Sequence, residues 1–154
     1  MEPDEISVLV VDDEARMRSF LLAELDHMGF RPDEAGTGEA AIEKAREKDY
    51  HVVLLDLRMP GMTGLEALER IRAIHPAPEV IIVTGHGTID TAIEAMRLGA
   101  YHYVTKPFKL RELELHVRKA HEKVSLERRS RHLQRLVEDG AAIPGIVGES
   151  KAIA

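Results

Sequence analysis

Three runs of valine, isoleucine and leucine constrain the fold more than any other feature. Ile6–Val11, His51–Leu55 and Glu79–Val83 are almost unbroken in these residues. A strand with one wet face alternates apolar and polar residues. A run without alternation is buried on both faces, as inside a parallel sheet covered by helices. Two further runs, a weak one at Phe30–Ala35 and one at Tyr101–Val104, complete a series that recurs about every 25 residues, the length of a strand and a returning helix.

The intervening segments have helical periodicity. Ala15–Met28 carries Met17, Phe20, Leu21, Leu25 and Met28 on one face, and Gly29 stands where a helix would stop. Thr37–Lys48 groups Ala41, Ile42 and Ala45. Thr63 and Glu66 form a T-x-x-E capping box ahead of Leu65, Leu68 and Ile71. Thr88–Leu98 is short and ends at Gly99. Five strand–helix repeats predict an α/β domain: a doubly wound five-stranded parallel sheet with right-handed crossovers and helices on both faces.

A length of 154 residues suits one domain with a surplus, and 44% hydrophobic residues are enough for a core. The absence of cysteine excludes a disulfide scaffold, thiolate metal sites and a cysteine nucleophile. No apolar run is long enough for a membrane span, and the acidic start MEPDEIS lacks the order of a signal peptide. These features predict a soluble, cytoplasmic chain. Residues 1–108 hold 11 basic and 20 acidic side chains, whereas residues 109–154 hold 10 and 7. The front part is therefore a poor partner for nucleic-acid phosphate.

The last helix should start near Lys109 and has no stop signal before Gly140. Leu113, Val117, Ala120 and Val124 keep a spacing that suits packing on the sheet. That register fails at Glu127 and Arg131, where a second apolar set begins: Leu126, Leu133 and Val137. A charged helix with one apolar stripe is unstable alone, so an extended helix that pairs with its twin in a short coiled coil is expected; the plain alternative is a monomeric helix that frays after about residue 125.

Polar residues interrupt or follow the apolar runs at telling places. Asp12 and Asp13 follow the first, Asp56 ends the third, Thr84 ends the fourth and Lys106 follows the fifth. In a parallel sheet all five lie at the carboxyl edge, where open α/β sheets bind ligands. Singly, each has a plain role: a helix cap, a loop start, a strand end, a solvated charge. Together, three carboxylates repel one another unless a cation is present. An oxygen-only site suits a hard divalent ion, Mg²⁺ above others. A carboxylate beside such an ion can become an aspartyl phosphate, with Lys106 and Thr84 stabilising the new charge. The eight histidines are scattered with no i,i+4 pair, so no histidine metal site is expected.

The motifs Val11-Asp12-Asp13-Glu14, Leu55-Asp56-Leu57-Arg58-Met59-Pro60-Gly61-Met62-Thr63-Gly64, Val83-Thr84-Gly85-His86 and Tyr103-Val104-Thr105-Lys106-Pro107-Phe108 resemble those of a receiver domain of two-component response regulators, over residues 6–122. The resemblance implies a flavodoxin-like (CheY-like) fold with strand order 2-1-3-4-5. It implies that Asp56 accepts a phosphoryl group from a sensor histidine kinase. Asp12, Asp13, Asp56 and the backbone carbonyl of Arg58 would hold Mg²⁺. Lys106 would contact the phosphoryl group, and Thr84 and Tyr103 would form the switch pair. The side chains of Arg58 and His86 would tune the lifetime of the phosphate. Tyr101, two residues before Tyr103, is read as strand packing.

Residues 143–154, IPGIVGESKAIA, resemble the opening of the AAA+ domain in NtrC-type regulators, the activators of sigma-54 RNA polymerase. The Walker A loop is absent from this chain. The expected organisation is thus a receiver at 1–122, a helical linker and possible coiled coil at 123–142, and the start of a missing AAA+ domain at 143–154. A DNA-binding output domain would also lie outside this chain. The fragment is read as a regulatory domain, with no ATPase activity and slow self-dephosphorylation at most, and as a homodimer through its last helix and linker.

Other readings compete with this one. A receiver of another output class, or a scaffold receiver that works without phosphorylation, would share the fold. A phosphatase of the haloacid dehalogenase type would need a second aspartate two residues after its nucleophile, where this chain has Arg58. The basic segment Lys123–Arg135 could track phosphates, but it lacks aromatics and reads better as the solvated face of a linker, so direct nucleic-acid binding is not expected.

Overall fold

The computed structural model describes residues 5–138. Five strands, β1 (Ser7–Val11), β2 (Arg31–Ala35), β3 (Val52–Leu55), β4 (Glu79–Thr84) and β5 (His102–Thr105), alternate with five helices. The helices are α1 (Ala15–His27), α2 (Gly38–Glu47), α3 (Gly64–Arg72), α4 (Ile89–Arg97) and α5 (Leu110–Glu138). All strands pair in parallel, in the order β2-β1-β3-β4-β5. This is the doubly wound sheet expected from the repeats.

The unbroken runs form the three central strands, and every residue of β1, β3 and β4 is buried. Successive residues of these strands enter opposite cores. Leu9, Val11, Val53, Leu55, Val80 and Ile82 meet Ala41, Ile42, Ala67, Leu68 and Ile71 of α2 and α3 on one side. Val8, Val10, Val52, Leu54, Ile81 and Val83 meet Leu21 and Leu25 of α1 and Leu113, Val117 and Ala120 of α5 on the other. β2 is written RPDEA. Only Ala35 is buried there, and Pro32, which cannot donate to a ladder, is tolerated because the strand is at the sheet edge.

The helix boundaries follow their caps. The Thr37 hydroxyl accepts from the Ala40 amide, and Thr63 with Glu66 closes a reciprocal capping box. One expectation fails: Phe20 is 45% exposed rather than part of the core. It lies at the rim of the apolar arc of α1, and the sheet takes up Leu21 and Leu25 while Met17, Leu22 and Met28 pack at the border.

Along α5, Leu113, Val117, Ala120 and Val124 are buried, and the helix runs on to Glu138. Among the described residues, those up to Val124 form one compact unit and those from Ser125 to Glu138 belong to a second. Leu126, Leu133 and Val137 are 57%, 49% and 63% exposed. The expected stop at Gly140 and the segment 143–154 lie outside the described residues. Among the described residues, no helix is long and apolar enough to cross a membrane.

Candidate functional site

The carboxyl ends of β1, β3, β4 and β5 bring Asp12, Asp13, Asp56, Thr84 and Lys106 to one edge of the sheet. Oxygens of Asp12, Asp13 and Asp56 lie within 4.8 Å of one another. Asp12 and Asp56 are buried and Asp13 is exposed, so the cluster opens to solvent on the Asp13 side. It is built wholly of oxygen donors, the set preferred by hard divalent cations.

Both buried carboxylates are oriented. The Glu14 amide donates to Asp12 Oδ1 at 2.9 Å, at the entry to α1. The Arg58 amide and the Thr84 hydroxyl donate to Asp56 Oδ1 at 3.1 and 2.9 Å. The Lys106 ammonium bridges the two buried acids, 3.0 Å from Asp12 Oδ2 and 3.3 Å from Asp56 Oδ2. Burial pulls the Lys106 ammonium down, but the two carboxylates outweigh it and hold the group above its ordinary value. Desolvation raises the Asp12 carboxyl, and the Glu14 amide and Lys106 only partly oppose this. Both effects describe a dense negative cluster with one ammonium in it, to which a divalent cation would add charge balance.

Two glycines set the walls. A Cβ at Gly64 would come within 2.4 Å of the Asp56 carbonyl oxygen and of Leu57 Cα, so only glycine lets α3 start beneath the loop that follows Asp56. The Gly64 amide donates to the Leu57 carbonyl at 2.9 Å across that approach. At Gly87 a Cβ would meet the Tyr103 hydroxyl at 1.9 Å. The Tyr103 ring thus lies against the β4–α4 loop, its hydroxyl 3.1 Å from Thr91 Oγ1. Tyr101 packs instead on the face of α1 and α5, with Lys123 5.8 Å from its ring centre. At the mouth, Arg58 Nη1 stands 3.0 Å from His86 Nδ1. Leu57, Arg58, Thr63, Leu65, His86 and Thr91 line an open groove on this side of the site.

The response regulator receiver domain family matches residues 8–118. The chain belongs to that family. The NtrX-like response regulator of Rickettsia felis is 37% identical over 143 residues, 92% of this chain and 30% of that protein. The receiver thus spans about 30% of the length of this relative. The crystal structure of NtrX from Brucella abortus superposes with a TM-score of 0.76 at 34% identity, covering 84% of this chain and 30% of that one. The beryllofluoride-activated NtrC4 receiver domain dimer gives 0.72 at 39%, covering 77% and 98%. Receiver domains bind Mg²⁺ at an acidic cluster, and Asp12, Asp13 and Asp56 form one in this receiver.

Sequence reasoning missed three participants. Arg18 donates to the Asp12 carbonyl at 2.7 Å and to Glu34 at 2.8 Å, and Thr91 meets Tyr103. No sequence signal separates Arg18 from its neighbour Arg16, because the two flank Met17 in the same turn of α1. The dipeptide His86-Gly87 after a strand end was the one available hint of close backbone approach near Tyr103.

Proposed function

We propose that this receiver accepts a phosphoryl group on Asp56 from a sensor histidine kinase and passes the change to the output domains of an NtrC-type regulator. The observation that carries the reading is the Asp56 carboxylate with a hydroxyl on one oxygen and an ammonium on the other.

In this reading Asp12, Asp13, Asp56 and the Arg58 carbonyl hold Mg²⁺, which when bound supplies neutralising charge and an anchor for phosphoryl oxygens. An Asp56 oxygen forms the new bond to phosphorus as the bond from phosphorus to the donor imidazole nitrogen breaks, and the imidazole leaves with the electron pair. Lys106 then turns its N–H groups to the phosphoryl oxygens. Thr84 shifts its hydroxyl from the carboxylate to the phosphoryl group, and Tyr103 follows into the space released. Arg58 and His86 border the approach of hydrolytic water and set the lifetime of the acyl phosphate.

The readout is a homodimer through α5 and the linker, in which Leu126, Leu133 and Val137 form the apolar seam. Their exposure supports a role as a contact surface between receiver and output. Control of a sigma-54-dependent AAA+ activator in the cytoplasm is the function of the full-length regulator in this reading.

Incubation with a small acyl phosphate and Mg²⁺ should label the wild-type chain and not Asp56→Asn. Equal labelling of both would overturn the assignment. Beryllofluoride should alter the oligomeric state of the wild type, and Leu133→Asp should remove that response while leaving labelling intact.

A further inference from the structure

The sheet ladder of β1 ends at Val11, which faces Ala35 on β2 and Leu55 on β3. The next carbonyl, that of Asp12, has left the ladder at the rim of the acidic cluster, and a carbonyl in such a place needs a donor. Arg18, on the second turn of α1, supplies it through Nη1 at 2.7 Å. The same guanidinium donates through Nε to Glu34 Oε1 on β2 at 2.8 Å. Gly36 fits against it, since a Cβ there would stand 3.2 Å from Nη1. The Arg18 side chain is only 21% exposed, which is unusual for an arginine on an edge helix.

The planar fork of arginine fixes two donors in set directions, which a lysine cannot do. One group therefore ties α1, β2 and the β1–α1 turn into one frame. Glu34 balances its charge, so the guanidinium orients the turn without setting an uncompensated cation beside the acids.

We propose that Arg18 is a positioning residue for the divalent-cation site. By holding the main chain at Asp12 it aims the carboxylates of both Asp12 and Asp13, and Glu34 in turn aims Arg18. The assignment rests on the reading that these carboxylates bind Mg²⁺. Groups that orient metal ligands from behind change affinity by about 10–100-fold when removed.

The test is an Mg²⁺ titration followed by the amide resonances of residues 12–14, run on wild type, Arg18→Gln, Glu34→Gln and Asp13→Asn. Acyl-phosphate labelling is measured beside it at rising Mg²⁺. Arg18→Gln should weaken Mg²⁺ binding about tenfold. Its labelling rate at saturating Mg²⁺ should return to within about twofold of wild type, a split that a general loss of structure would not produce. Glu34→Gln, which removes the charge that holds the fork without touching the turn, should weaken binding several-fold and serves alone if Arg18→Gln fails to fold. Affinity within twofold of wild type in these variants, while Asp13→Asn loses it, would overturn the role of Arg18 and leave the metal site standing. Wild-type affinity in Asp13→Asn as well would remove the metal reading and the proposal with it.

Discussion

The hydroxyl of Thr84 donates to Oδ1 of Asp56 at 2.9 Å, and both residues are buried. They are 28 positions apart and meet because β3 and β4 are adjacent parallel strands that end at the same edge of the sheet, Leu55 facing Ile82 just before Asp56 and Thr84. The same hydroxyl accepts from the His86 amide at 3.2 Å, so it links Asp56 to the β4–α4 loop. A change of charge at Asp56 thus reaches the start of α4 through one rotatable group.

Thr84→Ala should keep the Asp56 carboxylate and lose that link. Removing the hydroxyl leaves Asp56 Oδ1 with one donor and the His86 amide without its side-chain acceptor, at a cost of about 1–3 kcal/mol. Urea unfolding should show the loss. Acyl-phosphate labelling should persist, while the shifts of α4 resonances on beryllofluoride addition should shrink. Undiminished shifts would place the link elsewhere.

Lys106→Met should uncover the repulsion between Asp12 and Asp56. Breaking one side of a buried charge cluster costs about 2–4 kcal/mol, and added Mg²⁺ should recover more stability in this variant than in wild type. The wild-type pair has a defined pH limit. The Lys106 value is raised in the fold, so its contribution is fully present below the ordinary value of 10.5 and is lost as pH rises past the elevated one. Melts from about pH 9.5 to about 11.5, a unit either side of the ordinary lysine value, check this. A variant whose Mg²⁺ response equals that of wild type would mean that ammonium and cation do not share the site.

Gly87→Ala should drive the Tyr103 ring from its place. The added Cβ would lie 1.9 Å from the hydroxyl and 2.8 Å from Cζ, so a small backbone shift cannot absorb it. A loss of about 1–3 kcal/mol is expected. Tyr103→Ala in the same chain should return most of it, giving a strongly non-additive double-mutant cycle. Additive losses would show that the ring has room to move at no cost.

His102 and His116 should make the fold sensitive to mild acid. Their rings pack with centres 3.8 Å apart on the β5–α5 face. Desolvation, and then the proximity of His116, hold His102 below its ordinary value of 6.5. The unfolded chain therefore binds the proton first, and the contribution is present above pH 6.5 and lost as pH falls through the lowered value. Chemical denaturation from pH 7.5 to about 5 should show this decline, and His102→Gln should flatten it. An unchanged slope in the variant would assign the decline to other groups.

The central strands were legible because burial on both faces leaves no room for alternation, as in Val52–Leu55. β2 was faint because an edge strand carries Arg31, Asp33 and Glu34 into solvent. Even there Tyr50 is buried, with its hydroxyl donating to Asp33 at 2.6 Å, a contact no local pattern predicts. Phe20 was misplaced because helical period alone cannot say where the apolar arc of α1 ends.

By itself the sequence determined the sheet, its covered faces and the convergence of Asp12, Asp13, Asp56, Thr84 and Lys106 at one edge, because parallel strands of similar length end together. Tertiary structure decided everything that depends on distance between segments. It set Lys106 between two particular carboxylates and Tyr103 against Gly87, and it put Arg18 behind Asp12 with Glu34 to hold it. Those relations depend on crossover packing and side-chain reach, and neither leaves a periodic trace in the chain.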